Sequence, residues 1–199
     1  NDKRILRICR AGNIKSTIKY NNHGCTRQAK NPQYIAENIL NRQFHAESPN
    51  EKWLTDVTEF KWYAGLEVHK IYLSAILDLY DRRIVSYVIS DRNDNPLVFK
   101  TFDKAVKANP DAHPIFHNDR GFQYTNRTFH QKLEQAGMTQ SMSRVAKCID
   151  NGPMEGFWGI LKRERYYGKR FTSKQELVRM IVNYISYYNS RRVQRNLGI

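Results

Sequence analysis

Several things are scarce in this chain, and each scarcity narrows what it can be. No stretch reaches the roughly 18 apolar residues that a helix needs to cross a bilayer, so no membrane partner is expected. The opening, Asn1 to Arg10, is basic and lacks an apolar run, which excludes a signal peptide. Only 3 cysteines occur in 199 residues: Cys9, Cys25 and Cys148. An odd, scattered set excludes a disulfide framework and points to free thiols in a reducing compartment. His23 and Cys25 form one pair with no second pair at ligand spacing, so zinc is not expected. Repeats and low-complexity tracts are absent. Hydrophobic residues make up 40%, enough for a sizeable core, so wholesale disorder is excluded. A soluble cytoplasmic protein is expected.

Positive charge is in excess, at a formal +14. It is unevenly spread. Residues 1–47 carry 9 Lys/Arg against 3 Asp/Glu, residues 48–143 carry 12 against 12, and residues 144–199 carry 12 against 4. A neutral centre is therefore flanked by two basic segments. Such flanks draw polyanions, most commonly nucleic acid; a merely solvated basic surface is the plainer alternative.

The pattern along the chain predicts a mixed α/β layer fold. Residues 1–47 have weak periodicity, with short helices suggested at Ile5–Ile8 and Tyr34–Leu40. They read as the tail of an upstream domain plus a linker, ending at the turn-like Glu47-Ser48-Pro49-Asn50. Strand signals follow at Trp53–Trp62, Val68–Tyr80 and Ile84–Ile89. Asn95-Pro96 reads as the cap and first turn of a helix, Pro114–Asn118 as a short strand, and Thr128–Ala136 as a helix ended by Gly137. Asp150-Asn151 can cap a further helix with Pro153 in its first turn. Ser173-Lys174-Gln175-Glu176 is a capping box, opening a helix striped by Leu177, Ile181, Tyr184, Ile185 and Tyr188.

Three carboxylates fall at telling places. Alternation puts Asp56 on one strand face with Leu54, Thr58, Phe60 and Trp62. A carboxylate among such neighbours needs a cation or a strong donor. Asp119 follows the Pro114–Asn118 strand, where α/β sheets gather ligands, though a turn aspartate bonding its own backbone is also common. Glu155 sits in a first helical turn, where an acid favours the helix dipole in any case. Gly156 and Gly159 leave the helix bare beside it, either for close backbone packing or for a substrate. Together, three carboxylates can hold two Mg²⁺ or Mn²⁺ ions about 4 Å apart, as phosphoryl transfer on an anionic phosphodiester requires.

The local motifs then become specific. Between Asp119 and Glu155 lie 35 residues. This spacing resembles that of DDE transposases and retroviral-type integrases. Trp53-Leu54-Thr55-Asp56-Val57-Thr58 is similar to the first-aspartate strand of one branch, the OrfB-type insertion-sequence transposases. Leu77-Asp78-Leu79-Tyr80-Asp81-Arg82-Arg83-Ile84-Val85 resembles their following hairpin. His117-Asn118-Asp119-Arg120-Gly121-Phe122-Gln123-Tyr124 resembles their second-aspartate turn. Asp150-Asn151-Gly152-Pro153-Met154-Glu155 with Leu161-Lys162-Arg163-Glu164 resembles their glutamate helix, and Tyr187-Tyr188-Asn189 with Arg191-Arg192 their C-terminal end. The resemblance covers about residues 50–195. Asn118 and Arg120 stand where Ser and Gln are usual, and Gly156 where Ser is usual.

The resemblance implies an RNase H-like fold, a mixed five-stranded sheet flanked by helices. It implies a catalytic core over residues 48–199, preceded in 1–47 by the tail of a helix-turn-helix-type DNA-binding region. Asp56, Asp119 and Glu155 would be the metal-holding catalytic set, with two Mg²⁺ or Mn²⁺ ions. The enzyme would hydrolyse DNA at insertion-element ends and transfer the freed 3′-hydroxyl to another strand, working as a homo-oligomer on paired ends and associating with the nucleoid. Arg144, Lys147, Lys162, Arg163, Arg191 and Arg192 are the expected DNA contacts, with His117 and Asn151 in support. Asp78 is expected to pair with an arginine. Ser143–Gly152 has no clean period and is expected to order over DNA, unless Val145 and Ile149 pin it to the core. A catalytically silent DNA-binding relic or repressor is the alternative.

Overall fold

The computed structural model describes residues 2–14, 31–145 and 148–193. A five-stranded sheet is its frame: β1 (Lys52–Ala64), β2 (Glu67–Asp78), β3 (Ile84–Ser90), β4 (Ile115–Asn118) and β5 (Thr139–Met142). The spatial order is β3-β2-β1-β4-β5. The first three strands are antiparallel, while β4 runs parallel to β1 and β5 parallel to β4. Gly65, at φ +60°, and Leu66 make the two-residue connection from β1 to β2.

The strands alternate as their sequence dictates. Leu54 and Phe60 of β1 join Ile71, Leu73, Ala75 and Leu77 of β2 on one face of the sheet. Trp53, Val57 and Ile76 point to the other. On the first face lie α4 (Gly152–Leu161) and α5 (Lys174–Ser190), and on the second α2 (Asn95–Ala108) and α3 (Arg127–Gln135). The buried residues of α5 are Leu177, Ile181, Tyr184, Ile185 and Tyr188, as its period predicts, and Ser173 Oγ accepts the Glu176 N–H at its start.

Several local expectations give way. Asp94, not Asn95, caps α2, accepting the Leu97 N–H at 3.2 Å. Asn151 precedes α4 without a side-chain capping bond: its Nδ2 donates to Thr55 O, and its Oδ1 has no partner among the described residues. The helix expected over Tyr34–Leu40 does not form. That segment is irregular: its backbone bonds to Thr125 O, Ser141 Oγ and the Met142 N–H, while Ala36 and Leu40 are buried. Residues read as linker thus lie against the core, where sheet-edge partners satisfy their N–H and C=O groups better than an isolated turn would. A short α1 (Asp2–Ala11) does form, with Ile5, Leu6 and Ile8 exposed. His23 and Cys25 lie outside the described residues. No helix among the described residues is long and apolar enough to cross a membrane.

Candidate active site

Strand order sets the site. β4 pairs with β1 in parallel, His117 opposite Leu54, so Asp119 leaves the end of β4 beside Asp56. Asp56 is half-buried. Among the described residues no lysine or arginine forms an ion pair with it; its donors are the Val57 backbone N–H and Trp158 Nε1, the latter 3.0 Å from Oδ2. Burial, and then the charge of Asp119, push its carboxyl up to about 8, with Glu155 adding a smaller push. The pairing with a basic side chain that would make Asp56 merely structural is absent among the described residues.

Asp119 Oδ1 accepts the Gly121 N–H at 2.8 Å. A Cβ on Gly121 would stand 2.9 Å from that oxygen, so glycine is what lets the backbone approach. The turn role weighed for this aspartate is therefore present, and it presets the carboxylate rather than consuming it, since an ionised carboxylate has about four acceptor positions. Arg120 turns away and donates from Nε to Ser143 O at 2.9 Å.

Glu155 is exposed in the first turn of α4, and burial of its carboxyl group on the protein side pushes its pKa up. Met154, Phe157, Trp158 and Leu161 bury the opposite side of the helix. Nothing lies within 4 Å of the position a Cβ on Gly156 would take, and at Gly159 the nearest atoms are those of the Arg163 guanidinium, from 3.3 Å. Gly156 thus leaves open surface next to Glu155, while the space over Gly159 is taken by the Arg163 side chain.

Among the described residues no three His, Cys, Asp or Glu side chains stand close enough to hold a metal ion together. Two of the three expected ligands lie within electrostatic reach of each other: after burial, the charge of Asp119 is what pushes the Asp56 carboxyl up most. Glu155 is within electrostatic reach of Asp56 but outside that pair. Carboxylates that disfavour each other's ionisation are hard oxygen donors and fit a divalent cation such as Mg²⁺ or Mn²⁺, which would remove the repulsion.

His117 is buried and bridges two serines, with Nδ1 2.9 Å from Ser141 Oγ and Nε2 3.1 Å from Ser143 Oγ. Burial pushes its imidazole down to about 4, so it is neutral and braces β4 against β5. Asn118, beside it, is buried with both amide atoms unpartnered among the described residues. Asn151 Nδ2 donates to Thr55 O at 3.1 Å. Asp78 is buried and accepts the backbone N–H groups of Asn50 and Tyr80, so backbone takes the place of the expected arginine pair.

The expected DNA contacts are scattered in state. Arg163 and Arg191 are exposed. Lys162 lies 5.2 Å from the Phe60 ring centroid. Arg192 bonds Glu164 through Nε and Nη2, and Arg144 bonds Asp150 through Nε and Nη2. Lys147 lies outside the described residues. Ser143–Gly152 is not pinned by Val145 and Ile149, which are 58% and 59% exposed. Its far end is held instead by Asp150 and Asn151, both buried. The sequence reading missed Trp158 and Arg42, which donates to Asp150 at 2.6 Å. Trp158 falls in the apolar stripe of α4 and carries no sign of its hydrogen bond; only its position one turn beyond Glu155 hints at it.

Comparison with known proteins agrees with this fold. An integrase core domain model matches residues 46–148, and a second model of the same description matches residues 155–198. A putative transposase for insertion sequence element IS150 from Escherichia coli is 39% identical over 198 residues, covering 99% of this chain and 68% of that protein. A transposase-like protein from Haemophilus influenzae is 39% identical over 201 residues, covering 99% of this chain and 88% of its own length. Among solved structures, the HTLV-2 integrase catalytic core in complex with magnesium has a TM-score of 0.55 at 17% identity, covering 73% of this chain and 90% of that one. A chain of the simian T-cell lymphotropic virus intasome has a TM-score of 0.58 at 15% identity, covering 87% of this chain and 56% of that one. The sheet order, the flanking helices and these relatives together show that the chain belongs to the integrase-core family of insertion-sequence transposases, polynucleotidyl transferases of RNase H-like fold.

Proposed function

We propose that Asp56, Asp119 and Glu155 are the catalytic carboxylates of a DNA strand cleavage and 3′-hydroxyl strand-transfer reaction at insertion-element ends, supported by two Mg²⁺ or Mn²⁺ ions. The observation that carries this reading is the pair Asp56 and Asp119, with Asp56 pushed up to about 8. Stability alone gains nothing from bringing two carboxylates together, and functional sites are where such arrangements collect. When bound, the ions make the attacking hydroxyl more acidic and stabilise charge on the in-line transition state.

The chain's own residues have distinct tasks in this reading. Asp56 and Asp119 hold the metal from adjacent strands. Glu155 closes the set from α4, whose bare surface at Gly156 lets a phosphodiester approach. Arg163 and Arg191, exposed near α4 and at the end of α5, meet DNA phosphates. Neutral His117 and Asn151 hold β4 and the start of α4 in place. The partners are element-end and target DNA and further copies of the chain on paired ends.

The test is a labelled element-end duplex incubated with the purified chain and Mg²⁺ or Mn²⁺. Nicks at the 3′ ends, joined products, and loss of both with EDTA are expected. DNA binding with no metal-dependent nick would instead favour the silent DNA-binding relic.

A further inference from the structure

Two hydrogen bonds tie the glutamate helix to the strand that carries Asp56. Asn151 Nδ2 donates to Thr55 O at 3.1 Å, and Trp158 Nε1 donates to Asp56 Oδ2 at 3.0 Å. The acceptors are consecutive on β1. The donors stand four residues before and three residues after Glu155. One bond falls just before the first residue of α4 and the other past its middle, so together they resist pivoting of the helix against the strand better than either would alone.

The Trp158 bond is more than a by-product of packing. Its side chain is buried beside Phe157, with ring centroids 5.0 Å apart, and the hydrophobic contact alone would hold it there. An indole has a single N–H and no acceptor, so its one polar bond is a choice. In the same fold Trp62 Nε1 is buried with no partner among the described residues. The fold therefore tolerates a buried indole N–H without an acceptor, yet Trp158 delivers its own to a carboxylate of the candidate site.

We infer that Trp158 is a positioning residue: it sets the side-chain conformation of Asp56 and, through the helix they share, the place of Glu155 relative to it. This rests on the reading of Asp56 and Glu155 as ligands of a divalent ion. Neighbours that orient metal ligands in this way are typically worth about 10–100-fold in metal affinity.

Trp158→Phe keeps an aromatic ring and removes the donor. In the variant, Mn²⁺ affinity measured by calorimetry should fall about tenfold or more. Strand joining should recover at high Mn²⁺, a change in metal requirement rather than in maximal rate. A nuclear magnetic resonance measurement on the native sequence guards against a folding defect. Of the indole N–H signals, the one missing in Trp158→Phe should shift in Asp56→Asn and on Mg²⁺ addition. Unchanged Mn²⁺ affinity in Trp158→Phe, or an indole signal indifferent to Asp56→Asn, overturns the inference alone. A wild-type chain that takes up no Mn²⁺ overturns the ligand reading, and the inference with it.

Discussion

Arg144 grips Asp150 at three points: its backbone N–H and Nε reach Oδ2 at 3.1 and 2.9 Å, and Nη2 reaches Oδ1 at 2.8 Å. Arg42 and Asn38 complete the shell around this carboxylate, whose side chain is 0% exposed. The network joins the segment before β1 to the connector before α4. Asp150→Asn should therefore destabilise the fold, lowering Tm by about 4–8 °C, the scale of a broken buried network. A Tm within a degree of wild type by scanning calorimetry would refute this.

The same network sets an acid limit. The Arg144 guanidinium, and then Arg42, hold the Asp150 carboxyl well below the usual carboxylate range. A depressed folded-state pKa contributes stability that is full above the unfolded value, about 3.9, and is lost as pH falls toward the folded one. Tm of the wild type should drop more steeply than that of Asp150→Asn below about pH 4. Parallel acid limbs would show that Asp150 is not responsible.

Asp56 acts with the opposite sign. Its folded-state pKa, about 8, lies above the unfolded value. Ionising it therefore costs stability progressively as pH rises through the unfolded value, about 3.9, toward the folded one. In EDTA at pH 8, Asp56→Asn should melt about 2–4 °C above wild type. Mg²⁺ should raise the melting point of the wild type and leave the variant unmoved. Equal melting curves under all conditions would show that the charge on Asp56 is relieved by the protein itself.

Asp119→Asn should keep DNA binding and lose cleavage, because the amide is nearly isosteric but lacks the charge that holds a metal. Mobility shift and nicking assays on one preparation read both. Mg²⁺-dependent cleavage by the purified variant would remove Asp119 from the ligand set.

Arg191 and Arg192 should differ although they are adjacent. Arg191 is exposed, while Arg192 is held by Glu164. Each phosphate neutralised contributes about −0.9 to the slope of log K against log salt. Arg191→Gln should flatten the slope by about that amount, and Arg192→Gln by less. Equal changes in the two variants would mean that the Glu164 pair opens on DNA.

The placement of the three candidate carboxylates on their strands and helix was legible from local pattern. Period-2 alternation placed Asp56 on a face with Leu54 and Phe60, and both of those residues do pack against α4 and α5. The first-turn position of Glu155 and the strand-end position of Asp119 also follow from neighbouring residues alone. Less legible were the residues whose bonds span long stretches of chain. Arg42 meets Asp150 108 residues away, and Trp158 meets Asp56 102 residues away. For the same reason the sequence shows the charge of Arg144 and Arg192 but not the carboxylate each one meets.

The sequence by itself determined which residues face inward on each strand and helix, because side-chain direction follows the backbone period and burial rewards apolar groups wherever that period aligns them. It also determined the order and spacing of the three carboxylates. Only the tertiary structure decided that β4 lies beside β1, which brings Asp119 to Asp56, and that Tyr34–Leu40 is irregular rather than helical. Those outcomes depend on which distant backbone groups are left to be hydrogen-bonded, and a short segment with weak local preference adopts whatever conformation satisfies them.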